Sequence, residues 1–192
     1  MSLRYALIGV LEARPMTGYE LSQFFDHSTA WVWSAPHSNI YPALRKMQSE
    51  GLLEAATDIK GEKLERTSYS ITEEGRRQLR EWIVSDPGAP ARDPILLRMV
   101  FADIVDSEEA IKLLNLLIGR QGGLISQWSD HADALRRKDT VLIKERLKTR
   151  PSAEHDRIAA LKANVFDLMV AQANTWIEWA NDTLELLDDK PT

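Results

Sequence analysis

The strongest constraint on this chain is a change of hydrophobic period and its return. Leu3, Leu7, Val10 and Leu11 repeat at i, i+4, i+7 and i+8, the spacing of one helix face. At Leu53 the period drops to two. Leu53, Ala55 and Thr57 alternate with polar neighbours, and so do Thr67, Tyr69 and Ile71. The polar stretch "DIKGEKLE", with its glycine, separates the two runs, so together they read as a β-hairpin with a long tip. The helical period resumes in "ITEEGRRQLREWI". There Thr72 is placed to cap the helix, and Glu73 and Glu74 sit in the first turn, where the helix dipole favours acids.

Two more helices precede the hairpin. In "TGYELSQFFDH", Thr17 and Glu20 have capping-box spacing, and Tyr19, Leu21, Phe24 and Phe25 supply the apolar side. The connector "STAWVWSAP" leads to "HSNIYPALRKMQSEGLL", which closes at Gly51, a residue suited to the position just past a helix end. Pro42 lies inside this third helix. A start near Ser38 or Asn39 puts Pro42 in or just past the first turn, where its missing N–H costs little; a start nearer Pro36 demands a kink. Ile40, Leu44 and Met47 recur at i, i+4 and i+7 and should face inward, which leaves Tyr41 and Arg45 together on the outer face.

Three helices, a hairpin and a helix make the order of a winged helix-turn-helix. A helix entering the major groove presents its first turns to base edges, and here these offer His37, Ser38 and Asn39. Asn39 can pair bidentately with adenine or cap the helix. The Tyr41 hydroxyl can donate to a phosphate, Arg45 supplies a fork for phosphate or guanine, and Lys46 adds charge. The wing carries Lys60, Lys63 and Arg66, diluted by Glu62 and Glu65. Two cations and a tyrosine also fit a plain solvated face, but the basic hairpin behind the helices turns the reading towards DNA. The net charge of −5 is no bar to that. Up to Ser85 there are 10 Lys and Arg against 11 Asp and Glu, and beyond it 14 against 18. A near-neutral domain can meet phosphate if its cations share a face, because the field acts locally.

The stretch "SDPGAPARDP", with three prolines and a glycine, breaks any regular element and marks a linker over residues 85–94. The expected organisation is therefore a DNA-binding domain at 1–84 and an all-helical domain at 95–192, in a mainly α chain. The second domain begins with the short apolar "ILLRMVFADIV". A helix of about thirty residues follows, with Asp106 and Glu109 at capping-box spacing and Gly119, Gly122 and Gly123 as a weak point. The last helix, roughly Ala153 to Leu187, has two apolar rows. One includes Val165, Leu168, Trp176, Trp179 and Leu186; the other includes Phe166, Ala173 and Ala180. So wide a face exceeds what one neighbour covers, and the first row is expected to meet a second copy of the chain.

The first 84 residues resemble the PadR family of transcriptional regulators through "ALIGVLEARPMTGYEL", "WVWSAPHSNIYPALRKMQSEGLL" and "RTSYSITEEGRRQL". Asn39 stands where the family pattern commonly has Gln, and the wing is more acidic than in many members. The second half is similar to the helical dimerisation domain of the subfamily with extended C-termini, through "RDPILLRMVFAD" and the two long helices. The resemblance implies a homodimer that binds an inverted-repeat operator, usually represses, and is released by a small molecule. It also implies that Tyr41 and Arg45 hold phosphates, Ser38 and Asn39 meet bases, and Arg66 anchors the wing.

The family's response to aromatic ligands gives the six tryptophans a second reading beside core and interface packing. Trp31, Trp33 and Trp128, with His131 three residues beyond, are the candidate effector residues. Other functions find little support. The chain has no cysteine, which excludes disulfides, thiolate nucleophiles and Cys-based zinc sites. His27, His37, His131 and His155 are scattered, so neither a metal nor any other cofactor is expected. It lacks G-x-S-x-G, P-loop, dinucleotide-binding and H-E-x-x-H signatures. The start, "MSLRYALIGVLEA", has no signal-peptide layout, and no run of about 18 apolar residues occurs. A cytoplasmic protein without membrane contact is expected. The main rival reading is a winged-helix adaptor that binds protein rather than DNA.

Overall fold

The computed structural model describes residues 3–25, 37–60, 64–88 and 93–188, which form two compact units. Unit 1 comprises Met1–Pro87 and Val141–Ser152, and unit 2 comprises Gly88–Thr140 and Ala153–Thr192.

Unit 1 follows the expected order with two additions. Helix α1 (Leu3–Leu11) buries Leu7, Ile8, Val10 and Leu11. A two-residue strand, β1 (Met16–Thr17), precedes α2 (Gly18–Phe24). The capping box is formed: Glu20 N donates to Thr17 Oγ1 at 3.2 Å and Thr17 N donates to Glu20 Oε2 at 2.8 Å. Helix α3 (His37–Ser49) leads to β2 (Leu53–Lys60), β3 (Leu64–Ile71) and α4 (Glu73–Val84). The hairpin pairs antiparallel from Leu53↔Ile71 to Lys60↔Leu64. On its other edge β3 takes up β1, with Met16↔Tyr69 and Thr17↔Ser68, so the expected two-stranded wing belongs to a three-stranded sheet of order β1-β3-β2. Two residues after a proline are too few to show a period of two. Tyr19 departs from expectation as well. It is 66% exposed, because Leu21 and Phe25, four apart, set the inward face of α2 and Tyr19 lies about 200° from Leu21 on the helical wheel.

The end of α3 and the start of α4 are built as one joint. Gly51 has φ +73, and Leu52 N and Gly51 N donate to Met47 O at 2.9 Å and Gln48 O at 3.0 Å. This pair of bonds closes the helix on a left-handed glycine. Thr72 N then donates to Leu52 O at 3.1 Å and Thr72 Oγ1 to Gly51 O at 2.7 Å, while Gly75 N donates to Thr72 Oγ1 at 3.1 Å. A Cβ on Gly75 would stand 2.4 Å from the Leu52 carbonyl oxygen, so only glycine lets α4 approach this closely.

A helix absent from the sequence reading completes unit 1. Helix α7 (Val141–Leu147) buries Ile143 and Leu147, and Leu142 packs against the core. Val141–Ser152 groups with the first unit, alongside Met1–Pro87. Glu12, only 15% exposed at its side chain, binds it electrostatically. Its carboxylate meets Arg146 at 2.7 Å, Arg150 at 2.8 Å and Arg76 at 3.4 Å. Arg146 also donates to Gly9 O at 2.6 Å.

Unit 2 contains α5 (Pro94–Val100), α6 (Ser107–Arg136) and α8 (His155–Asp188). Asp93 caps α5 by accepting from Ile95 N at 2.9 Å, with Pro94 in the first turn. Asp106 occupies the N-cap of α6 but makes no side-chain cap bond, so the expected capping box is not formed. Helix α6 runs unbroken through its three glycines. It packs along α8 through Ala110, Leu114, Trp128, Ala132 and Leu135, against small residues such as Ala159, Ala163, Ala173 and Ala180. Arg136 clamps both Asp167 carboxylate oxygens, at 2.6 and 2.5 Å. The two rows of α8 part company here. Phe166, Ala173 and Ala180 are buried, while Val165, Leu168 and Leu186 are exposed and Trp176 and Trp179 half-buried.

Gly75→Ala should destabilise the protein by about 1–3 kcal/mol, the usual range for overpacking, as read by urea unfolding. Wild-type stability would exclude a tight α3–α4 joint.

Candidate nucleic-acid interface

The face that α3 leaves to solvent is determined by what it buries. Ile40 and Leu44 are 0% exposed and Met47 is 2% exposed, in one cluster with Leu7, Leu21 and Leu52. At 100° per residue this rotation turns Ser38, Asn39, Tyr41, Arg45 and Lys46 outward, and all five are exposed. Tyr41 is 47% exposed, and its ring lies against Gly18 at the start of α2. His37 is the first residue of the helix. Because α3 starts there, Asn39 falls within the first turn and is not the cap, which removes the capping alternative. Pro42 falls in the second turn. It withdraws the amide that would bond the Ser38 carbonyl, at the end of α3 that is open to solvent.

Electrostatics separate α3 from its surroundings. Most arginines of unit 1 have a carboxylate close by. Arg4 pairs with Glu50, Arg77 with Glu74 and Glu81, Arg80 with Glu73, and Arg76, Arg146 and Arg150 with Glu12. Arg45 and Lys46 form no ion pair among the described residues. Their charge remains available to an anion, and Arg45 shares the face of Tyr41, four residues before it.

The wing is arranged differently. Arg66 lies opposite Asp58 in the hairpin, and its guanidinium reaches back to Glu20 of α2 at 3.2 Å. Glu20 also meets Arg14 at 3.5 Å. Partial burial disfavours ionisation of Glu20, but the Thr17 amide and hydroxyl, with Arg14 and Arg66, outweigh it and hold the carboxyl below its usual range. Lys60 ends β2, and Lys63 lies outside the described residues. The α3 residues are therefore gathered on one face, while Arg66 is tied to α2. Glu20 and Gly18 escaped the sequence reading as parts of this site. The capping spacing marked Glu20 as a helix-start residue, and nothing local reveals its second set of partners.

Of the candidate effector residues, Trp31 and Trp33 lie outside the described residues. Trp128 is 9% exposed, and its indole N–H meets no acceptor among the described residues. His131 stacks at a tilt on Phe166 of α8, with ring centroids 4.6 Å apart, and burial pushes its pKa below the usual imidazole value. Trp176 and Trp179 meet edge to face at 5.5 Å. Among the described residues no cluster of three or more His, Asp or Glu could hold a metal, and no helix is long and apolar enough to cross a membrane.

Comparison with known proteins matches residues 7–81 to the model of the transcriptional regulator PadR-like family. The negative transcriptional regulator PadR of Bacillus subtilis is 34% identical over 113 residues, which cover 58% of this chain and 62% of that protein. The probable transcriptional regulator Rv1176c of Mycobacterium tuberculosis is 29% identical over 194 residues, covering 99% of this chain and all of that protein. The crystal structure of Bacillus subtilis PadR in complex with operator DNA superposes with a TM-score of 0.72 at 25% identity, over 97% of this chain and 99% of the other. Its complex with p-coumaric acid gives 0.73 at 22% identity, again over 97% and 99%. The winged helix-turn-helix of unit 1 and the long helices of unit 2 thus recur together in solved structures. Residues 7–81 thus match the model of the transcriptional regulator PadR-like family, and the chain resembles members of that family along most of its length.

Proposed function

We propose that the chain is a sequence-specific DNA-binding regulator, acting as a homodimeric repressor on an inverted-repeat operator and released by a small aromatic effector. The observation that carries the reading is the outer face of α3, where Tyr41, Arg45 and Lys46 stand exposed and the two cations have no acidic partner among the described residues. In this reading Ser38 and Asn39, with His37, meet base edges, Tyr41 and Arg45 hold phosphates, and Lys60, Lys63 and Arg66 follow the backbone from the wing. Arg66 must exchange Glu20 for a phosphate, so its contribution is smaller than that of Arg45. The operator complex of the Bacillus subtilis relative supports the reading. Unit 1 is then the DNA-binding part, unit 2 the dimerisation part, and the protein works in the cytoplasm beside its DNA.

The dimer rests on unit 2. Its exposed apolar side chains include Val165, Leu168 and Leu186 on α8 and Leu97, Val100 and Phe101 around α5, more than a solitary helix pair leaves to water. Trp176 and Trp179 continue the α8 row. An effector has support in Trp128, a buried indole donor without an acceptor among the described residues, three residues before His131, whose ring stacks on Phe166. An aromatic acid would bring both a ring and an acceptor, and p-coumaric acid, which the Bacillus subtilis relative binds, is such a molecule.

Three measurements test these statements. Arg45→Ala should weaken binding to every duplex and lower the slope of log K against log salt by about one unit. Unchanged gel shifts with the DNA upstream of the protein's own gene would favour the adaptor reading instead. Light scattering should report a dimer at micromolar concentration, and Leu168→Asp, which would bury an unpaired charge, should report a monomer. Phenolic acids should quench tryptophan emission saturably and release the DNA; quenching without release would leave a ligand with no regulatory role.

A further inference from the structure

We infer that Gly18 is a positioning residue for DNA recognition, and that it acts by seating the ring of Tyr41. The inference rests on the reading that the Tyr41 hydroxyl meets a phosphate. Gly18 is the first residue of α2, and it does not have the positive φ that makes Gly51 and Gly88 hard to replace. Its backbone suits any L-residue, and alanine is the better helix former there. Conformation therefore gives no reason for glycine.

The reason lies in what a Cβ would meet. Placed on Gly18, it would stand 2.5 Å from Cε1 of Tyr41, 3.0 Å from Cζ and 3.1 Å from Cδ1. Real Cβ atoms essentially never approach within 3.0 Å of another heavy atom. Cζ is the carbon that bears the hydroxyl, so the contact lies along the working edge of the ring. On a helix a tyrosine has two accessible χ1 wells, and a half-exposed ring needs a neighbour to select one. The bare backbone of Gly18 is that neighbour. A methyl group there would displace the ring and carry the hydroxyl with it.

The seat is itself held in place. Thr17 caps α2 through Glu20, and as part of β1 it pairs with Ser68 of β3, the inner strand of the wing. The floor under Tyr41 is thus fixed to the sheet from which the wing extends. One turn of chain, Thr17–Glu20, fixes the recognition helix hydroxyl through Gly18 and meets the wing arginine through Glu20.

The test measures binding of the full chain to the duplex upstream of its own gene and to a scrambled duplex of equal length. The variants are Gly18→Ala, Tyr41→Ala, their combination and Arg45→Ala. Tyr41→Ala should weaken both complexes about tenfold, the usual loss for a hydrogen bond to a charged group. Gly18→Ala should weaken them to a similar extent, and the double variant should match Tyr41→Ala within about twofold, because the two changes remove one contact. Both single variants should keep the wild-type salt slope, since a neutral hydroxyl releases no counterion, whereas Arg45→Ala should lower it. Thermal melting guards against mere unfolding. If Gly18→Ala melts early, the double variant should recover the melting temperature while binding like Tyr41→Ala. Losses that add, a double variant that stays unstable, or full affinity in Gly18→Ala beside a weakened Tyr41→Ala would overturn the role of Gly18 and leave the DNA reading standing. Full affinity in Tyr41→Ala would overturn the phosphate role of Tyr41, and the role of Gly18 with it.

Discussion

Burial of Ile40, Leu44 and Met47 governs which side of α3 reaches solvent. Three apolar side chains at i, i+4 and i+7 fix the rotation of a thirteen-residue helix about its own axis. Once they are seated against Leu7, Leu21 and Leu52, the orientation of Tyr41, Arg45 and Lys46 is no longer a free choice. Turning the helix to bury Arg45 would desolvate a guanidinium and expose two or three core residues, and both changes oppose it. The surface offered to a ligand is thus a by-product of core packing. It is as firmly set as that core, which suits the groove-reading role proposed for α3.

Much of this was legible from local pattern. The inward stripe of α3, the Thr17–Glu20 box, the Thr72 cap and the glycine closure at Gly51 all act over a few residues, so short-range rules capture them. The failures share a cause. Strand β1, the pairing of Arg66 with Glu20 and the attachment of α7 depend on segments distant in sequence. No spacing rule reports that Glu12 will collect arginines from positions 76, 146 and 150. The site divides along the same line. Its helical half was readable because it follows from the α3 stripe, whereas the floor beneath Tyr41 and the tie on Arg66 were not.

Net charge proved a poor guide for a related reason. A chain at −5 would be expected to repel phosphate. In the folded unit, however, acids act first as internal partners. Glu12, Glu20, Glu50, Glu73, Glu74 and Glu81 each sit beside an arginine. This pairing leaves a local asymmetry that the sum conceals. What reaches an approaching anion is the unmatched remainder on each face, and on α3 that remainder is positive.

The course of the chain has a consequence for how such a protein can be cut or recombined. The polypeptide leaves unit 1 after Pro87, returns to it at Val141, and leaves it again after Ser152. Unit 1 is therefore not an N-terminal fragment, although the match to the PadR-like family model spans residues 7–81. A fragment ending at Pro87 would lose Arg146 and Arg150, stripping Glu12 of its two nearest partners, and would uncover the side of the core against which Leu142 packs. Grafting such a fragment onto a foreign helical tail carries the same penalty unless the returning helix comes with it. Three crossings of the backbone separate the two units along the chain, so the sequence beyond residue 88 includes a helix, α7, that must fit the core of unit 1.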